Sequence, residues 1–287
     1  MTSGAPRRQD PGALRVLAAR PWPGSAIAVS PDGAWVAVAL PARVVVARLP
    51  DLDGVREIAV PDVRSLAAVD PGRLALAPRR GLLVIADPRG GARVGIRART
   101  PGRLALAAGP DGRLAAVGAR AALPRATVVA WSDGARRREW TAALASASVA
   151  AWLAADDLAV AVGDDLLLVR RGEEIARATS PLGEPITALA SVPGGVVLAG
   201  AGDRAVVHTM IPGVSRRAIT IPPGTARSLA AAPGILTAAT RSGGERVSIH
   251  DLPTGAVIAR LRGVAAAVPV PPYVVATGRE GTVVVGP

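Results

Sequence analysis

Few side chains in this sequence can do acid–base or nucleophilic chemistry near neutral pH. The chain has no cysteine, and its two histidines are His208 and His250. Without cysteine there is neither a disulfide framework nor a thiolate that could bind a metal or act as a nucleophile. Lysine is also absent, which removes the Gly-x-x-x-x-Gly-Lys phosphate loop, and Gly-x-Ser-x-Gly does not occur. These absences disfavour a hydrolase or lyase, and we predict no catalytic residue.

Acidic pairs and histidines are the remaining candidates for a metal site. Asp156-Asp157 and Asp164-Asp165 each fall in a predicted tight turn, where Asp is favoured because it tolerates turn geometry. A metal held by His208 or His250 would need further ligands converging on it. The repeats described below supply none, so both histidines are interpreted as structural. We predict no metal and no cofactor.

The charge balance gives a clearer signal. The chain has 34 basic and 22 acidic residues, a formal net charge of +12, and every basic residue is arginine. Together with abundant Ala, Gly, Pro and Val, this is typical of a GC-rich bacterial genome. Codon bias explains the choice of Arg over Lys but not the excess over Asp and Glu. A field of this sign favours an acidic protein, nucleic acid or another anionic partner.

Turn signals recur along the chain at a regular spacing, each after a short apolar run. Successive turns are 38 to 45 residues apart, close to the roughly 40 residues of a propeller blade. The turns are Pro31-Asp32-Gly33, Pro71-Gly72, Pro110-Asp111-Gly112, Ala155-Asp156-Asp157, Pro193-Gly194-Gly195, Pro233-Gly234 and Pro271-Pro272. Seven repeating units are therefore predicted.

Each unit reads as four short strands rich in Val and Ile. Continuous apolar runs such as Val44-Val45-Val46 and Val283-Val284-Val285 indicate sheets covered on both faces. A β/α barrel is excluded, because units of this length leave no room for a helix beside four strands. The Ala-rich stretch 142–160 has helical propensity, but its place in the period favours strands. The sequence thus predicts an all-β, seven-bladed β-propeller of four-stranded antiparallel blades.

The two ends of the chain complete this prediction. The last unit, 264–287, has room for three strands, and a fourth is available at 13–19. Pairing it with Thr282–Val285 would close the ring and remove two exposed sheet edges. Residues 13–287 then form a single domain behind a disordered tail, 1–12. No signal peptide or bilayer-spanning apolar run is evident, so we expect no membrane insertion and a cytoplasmic protein.

The repeats resemble the WD40-like family of β-propellers. The clearest unit is 246–261, in which His250-Asp251 takes the place of the family's Trp-Asp dipeptide. Trp131-Ser132 and Ala86-Asp87 fall at the same point in their units, and Ser30-Pro31-Asp32-Gly33 matches the family's first turn. No Gly-His dipeptide precedes any unit, so the family's buried Asp-His-Ser/Thr-Trp network does not carry over. The resemblance implies a non-catalytic platform for protein assembly.

The order of strands in such a blade divides the loops between two faces. Turns between second and third strands, together with blade-to-blade connections, emerge on what we call the connection face. The arginines predicted there as partner-binding residues are Arg43, Arg64, Arg79, Arg80, Arg120, Arg125, Arg204, Arg227, Arg241 and Arg279, with Arg20 and Arg99 alongside. The opposite face collects Asp32, Asp51, Asp53, Asp70, Asp87, Asp111, Asp133, Asp156, Asp157 and Asp251. We therefore expect one basic and one acidic face, with Asp164-Asp165 interrupting the basic one.

Three interpretations of the arginines stay open. They are ordinary polar turn residues, they dock an acidic protein through bidentate carboxylate contacts, or they bind nucleic acid phosphates. Scarce aromatic residues weaken the nucleic-acid interpretation. Trp22 is either an aromatic anchor for the partner or part of the core. Arg136-Arg137-Arg138 either protects an exposed edge strand or forms a lateral docking site.

Overall fold

The computed structural model describes residues 14–79, 83–89, 93–96, 104–118, 125–132, 135–144, 147–209, 217–241 and 244–287. The predicted tail, 1–12, lies outside these residues.

The described chain consists almost entirely of β-strands, which form seven separate four-stranded antiparallel sheets. We number the sheets as blades 1 to 7. Blades 1 to 3 contain β2 (Ala26–Val29), β3 (Trp35–Ala39), β4 (Val44–Arg48), β5 (Asp53–Ile58); β6 (Val63–Asp70), β7 (Arg73–Pro78), β8 (Leu83–Ala86), β9 (Arg93–Ile96); β10 (Leu104–Ala108), β11 (Arg113–Gly118), β12 (Arg125–Ser132) and β13 (Ala135–Ala143). A short 3₁₀ turn, Pro110–Gly112, joins β10 to β11.

Blades 4 to 7 repeat the same order. They contain β14 (Ala147–Trp152), β15 (Asp157–Val162), β16 (Asp165–Arg170), β17 (Glu173–Thr179); β18 (Ala188–Val192), β19 (Gly195–Ala199), β20 (Arg204–Thr209), β21 (Arg217–Thr220); β22 (Thr225–Ala232), β23 (Ile235–Arg241), β24 (Glu245–Asp251), β25 (Val257–Arg262); β26 (Val264–Val270), β27 (Tyr273–Gly278), β28 (Gly281–Gly286) and β1 (Arg15–Arg20). The Ala-rich stretch 142–160 forms strands, as predicted, with residues 145 and 146 outside the described part.

The first strands of consecutive blades contact one another all the way round, including β26 with β2. The all-β propeller arrangement of four-stranded antiparallel blades is therefore confirmed.

A cluster of buried aliphatic side chains lies between each pair of neighbouring blades. The runs of Val, Leu and Ala in the middle strands explain this, because each blade is covered on both faces. Each fully buried Val or Leu contributes about 1.5–3 kcal/mol relative to an exposed one. Two tryptophans add polar contacts between blades: the indole Nε1 of Trp35 donates to the carbonyl of Pro71 at 2.9 Å, and that of Trp152 to the carbonyl of Ala107 at 3.0 Å.

The chain closes on itself in blade 7, as predicted. β1 pairs antiparallel with β28, with Arg15 opposite Gly286 and Arg20 opposite Thr282. The buried hydroxyls of Thr277 and Thr282 lie 2.9 Å apart, and Thr282 donates to the carbonyl of Trp22 at 3.0 Å. This contact joins the start of the propeller chain to its last strand.

Candidate docking surface

The strand registers place the described members of the predicted arginine set at the connection face. Arg43 and Arg79 flank second-to-third turns, and Arg204 begins β20. The described side chains of the set are all exposed: Arg43, Arg64, Arg79, Arg204, Arg227, Arg241 and Arg279. Arg80 and Arg120 lie outside the described residues, as does the side chain of Arg125, whose backbone begins β12.

Two of these arginines are already paired within the chain. The Nε of Arg43 lies 2.9 Å from a carboxylate oxygen of Glu57, which the β4–β5 hairpin brings alongside. A guanidinium nitrogen of Arg64 lies 2.6 Å from a carboxylate oxygen of Asp62. Both pairs are about half exposed, so each contributes little stability. They do reduce the charge that blades 1 and 2 offer to an acidic partner.

Five members of the set have no ion pair with any carboxylate that the described part of the chain places. Among the described residues, no carboxylate lies within ion-pair distance of Arg79, Arg204, Arg227, Arg241 or Arg279. Three of them, Arg227, Arg241 and Arg279, lie on the consecutive blades 6 and 7. The uncompensated positive charge is thus densest on one sector of the connection face.

Acidic residues share the rest of this face, which corrects the prediction of a basic ring broken only in the fourth blade. Asp164 lies in the second-to-third turn of blade 4, and Asp203 in that of blade 5. Glu184, in the connection between these blades, accepts a hydrogen bond from the amide of Gly202 at 2.8 Å. On blade 7, Glu280 follows Arg279. The face therefore has acidic residues on blades 4 and 5, next to the basic sector of blades 6 and 7.

The opposite face is mixed rather than acidic, which also corrects the prediction. Arginines that begin or end the neighbouring strands reach its Asp residues, because hairpin registers place strand ends beside turns. The ion pairs are Arg48–Asp53 at 3.0 Å, Arg113–Asp156 at 3.2 Å, Arg170–Asp157 at 2.6 Å, Arg171–Asp156 at 2.9 Å and Arg73–Asp70. The hydrogen bond from Arg170 lowers the pKa of Asp157. Most arginines named on this face thus form ion pairs with carboxylates of the same chain.

Trp22 belongs to the interior of the ring closure. Its side chain is half-buried against the aliphatic cluster between blades 7 and 1, and its carbonyl accepts the Thr282 hydroxyl. Of the two interpretations that the sequence left open, the packing favours a core residue. Arg136-Arg137-Arg138 lies in β13, the outermost strand of blade 3, but these side chains lie outside the described residues.

Both histidines are the last residue but one of the third strand in neighbouring blades, and both are buried, as structural residues should be. His250 is fully enclosed: its Nε2 lies 2.7 Å from the Ser248 hydroxyl, and its Nδ1 lies 3.3 Å from the carbonyl of Gly255. Because a carbonyl only accepts, Nδ1 donates and Nε2 accepts from Ser248. No group of three or more His, Asp or Glu residues suited to a metal occurs in the described ranges.

His250 should make the protein sensitive to mild acid. Burial, reinforced by the nearby charge of Arg260, lowers the pKa of His250 from 6.5, although the Gly255 carbonyl acts the other way. A lowered folded-state pKa means that the unfolded chain binds the proton more readily. We expect the free energy of unfolding to fall as the pH drops from about 7 through the unfolded value of 6.5, and to level off below the folded pKa.

Urea unfolding between pH 5 and 8 tests this expectation. His250→Gln should remove the step in that window, whereas His208→Gln, which keeps His250, should retain it. An unchanged step in His250→Gln would assign the acid sensitivity to another group.

Blade 6 carries additional arginines that the loop-based prediction missed. Arg246 on β24 lies directly opposite Arg262 on β25, and Arg260 lies opposite Ser248. All three arginines are exposed, and none has a carboxylate within ion-pair distance among the described residues. Like charges directly opposite on neighbouring strands are destabilising. The alternating pattern of β25, VIARLR, is the sequence signal that could have identified them.

A groove lies beside these arginines, where blade 6 leads into blade 7 at the connection face. It has a volume of about 520 Å³. The ends of β25 and β1 and the start of β28 line it. Its charged lining residues are Arg20, Arg260, Arg262 and Glu280, and its apolar lining includes Leu261, Val264 and Val283.

Comparison with models of known protein families found no match for this chain, and a search of curated proteins found none either. Within the described ranges, no helix is long and apolar enough to cross a membrane.

Proposed function

We propose that this chain is a non-catalytic, seven-bladed WD40-like propeller that acts as a scaffold subunit of a larger bacterial assembly. It docks an acidic protein on the basic sector of its connection face. The observation that carries this proposal is the unequal use of arginine on the two faces. Arginines of the opposite face mostly pair with carboxylates of the chain, whereas Arg227, Arg241 and Arg279 have none in ion-pair range among the described residues.

An acidic protein is the partner that suits this chemistry best. Exposed guanidinium groups with free forks form bidentate contacts with carboxylates, which provide both attraction and orientation. Uncompensated charge on one sector also accelerates encounter with a partner of opposite sign. Nucleic acid phosphates are the alternative ligand for the same arginines. The described part of the sector offers no exposed aromatic side chain on which bases could stack, and this favours protein.

Co-purification of the tagged protein from its native host tests the proposal with charge-matched variants. The double variant R241E/R279E should lose an acidic protein that the parent retains, with recovery reduced at least tenfold. R56E/R89E reverses two exposed arginines outside the sector and should retain that protein. Equal recovery with both variants would contradict the proposal. Binding to single-stranded DNA that weakens steeply with salt and disappears in R241E/R279E would instead favour the nucleic-acid alternative.

A further inference from the structure

We propose that the groove between blades 6 and 7 holds an extended, acidic polypeptide segment in which aliphatic side chains lie between the carboxylates. This inference rests on the proposed function, since it assigns the part of the surface that an acidic partner contacts. It adds the conformation and the residue pattern of the bound segment.

The charge of the groove selects an anionic occupant. Arg20, Arg260 and Arg262 line it against the single carboxylate of Glu280. Arg246, on the neighbouring strand β24, lies directly opposite Arg262 and adds a further positive charge. Besides these residues, the sequence of blade 6, 225–262, contains Arg227 and Arg241 and only two acidic residues, Glu245 and Asp251.

Neither of these two acidic residues is in register with Arg262, which pairs with Arg246. Asp251 lies at the far end of the blade, where its carboxylate accepts hydrogen bonds from the amide and hydroxyl of Thr254. The side chain of Glu245 lies outside the described residues, and its backbone is in register with Arg241 rather than with Arg262. The arginines at the groove therefore repel one another, and a carboxylate bound between them would reduce this repulsion.

The apolar part of the lining favours a polypeptide over nucleic acid. Leu261, Val264 and Val283 provide aliphatic surface, and the described lining contains no aromatic residue on which a base could stack. Aliphatic side chains suit this floor, whereas a phosphate backbone does not. In an extended strand, successive side chains point to opposite sides. A segment that alternates carboxylates with aliphatic side chains can therefore contact the guanidinium groups with one side and the aliphatic lining with the other.

The shape of the groove favours an extended segment. It lies between the outermost strands of two adjacent blades, β25 and β1, whose outer edges carry no further strand among the described residues. Such edges present free backbone donors and acceptors to an incoming strand. Gly281, at the start of β28, packs so closely on the carbonyl of Arg20 that a Cβ would not fit. This contact lies within blade 7, where it holds the end of β1 against the start of β28 along one side of the groove.

Fluorescence anisotropy with a labelled ten-residue peptide of alternating Glu and Val tests this inference. The parent protein should bind this peptide, and a peptide with Lys in place of Glu should not bind. R260E/R262E should weaken binding at least tenfold. E280Q removes the one carboxylate from the lining and should tighten binding two- to fivefold. R56E/R89E serves as the charge-matched control and should bind within threefold of the parent.

The outcomes separate this inference from the proposed function. If R241E/R279E abolishes peptide binding while R260E/R262E leaves it intact, the groove assignment is overturned and the connection face stands. If the parent does not bind the Glu-Val peptide, or binds a ten-nucleotide dT oligonucleotide more tightly, the groove assignment is also overturned. Co-purification from the native host tests the proposed function independently of this peptide. Should R260E/R262E melt below the parent, R260A/R262A replaces it, with the same tenfold expectation.

Discussion

Replacing Gly278 by alanine is expected to destabilise the protein by about 2–4 kcal/mol, because backbone atoms occupy the position of the new side chain. A Cβ at this residue would overlap the carbonyl oxygen of Gly263 and lie 2.7 Å from the Cα of Val264. Neither atom belongs to a flexible side chain. The substitution must therefore displace the connection between blades 6 and 7, whose Gly263 carbonyl accepts a hydrogen bond from the amide of Arg279 at 3.2 Å.

Differential scanning calorimetry measures this effect, with an expected fall in Tm of roughly 5–15 °C. Gly244→Ala is the matched control, because a Cβ at Gly244 would meet no described heavy atom within 4 Å and the residue has no positive φ. That variant should melt within a degree or two of the parent, since alanine mainly restricts the unfolded chain. Equal melting temperatures for the two variants would contradict close packing at the junction of blades 6 and 7.

Removing residues 1–20 is expected to have the second large effect, because it deletes β1 and opens the ring. The partner strand β28 would then expose its edge, with Val283, Val284 and Val285 along it. Unpaired apolar edges of this kind promote association between molecules. We expect soluble aggregates by analytical ultracentrifugation and a fall in Tm of about 10 °C or more for any remaining monomer.

A shorter truncation provides the control for this experiment. Removal of residues 1–12, predicted from the sequence to be a disordered tail, leaves β1 complete and should change neither quantity. A monomeric protein with the parent's Tm after removal of residues 1–20 would show that closure by β1 contributes little to stability.

The strand pattern and the closure were accessible from sequence because both depend on local chemistry. Turns such as Pro31-Asp32-Gly33 punctuate the chain where Gly33 takes a positive φ, 70°. Continuous runs such as Val283-Val284-Val285 identify strands covered on both faces. Pairing of 13–19 with the last unit followed from the strand missing in that unit and the spare strand before the first unit.

The charge pattern was only partly accessible, because ion pairs depend on the distance between strands rather than on turn position. From the sequence, Arg43 was predicted to be an unpaired loop arginine. In the structure, the β4–β5 hairpin places Glu57 beside it. The Asp residues of the opposite face read as an acidic surface until Arg170 and Arg113 reach Asp157 and Asp156. Counting charges by loop therefore overstated the contrast between the two faces.

The sequence by itself determined the all-β class, the four-strand unit and the excess of arginine, since short-range turn geometry and composition encode them. Only the tertiary structure decided which arginines remain uncompensated and where they gather. The approach of β25 to β1 that forms the groove joins residues far apart in the chain. Such contacts arise from blade packing, which no local pattern specifies.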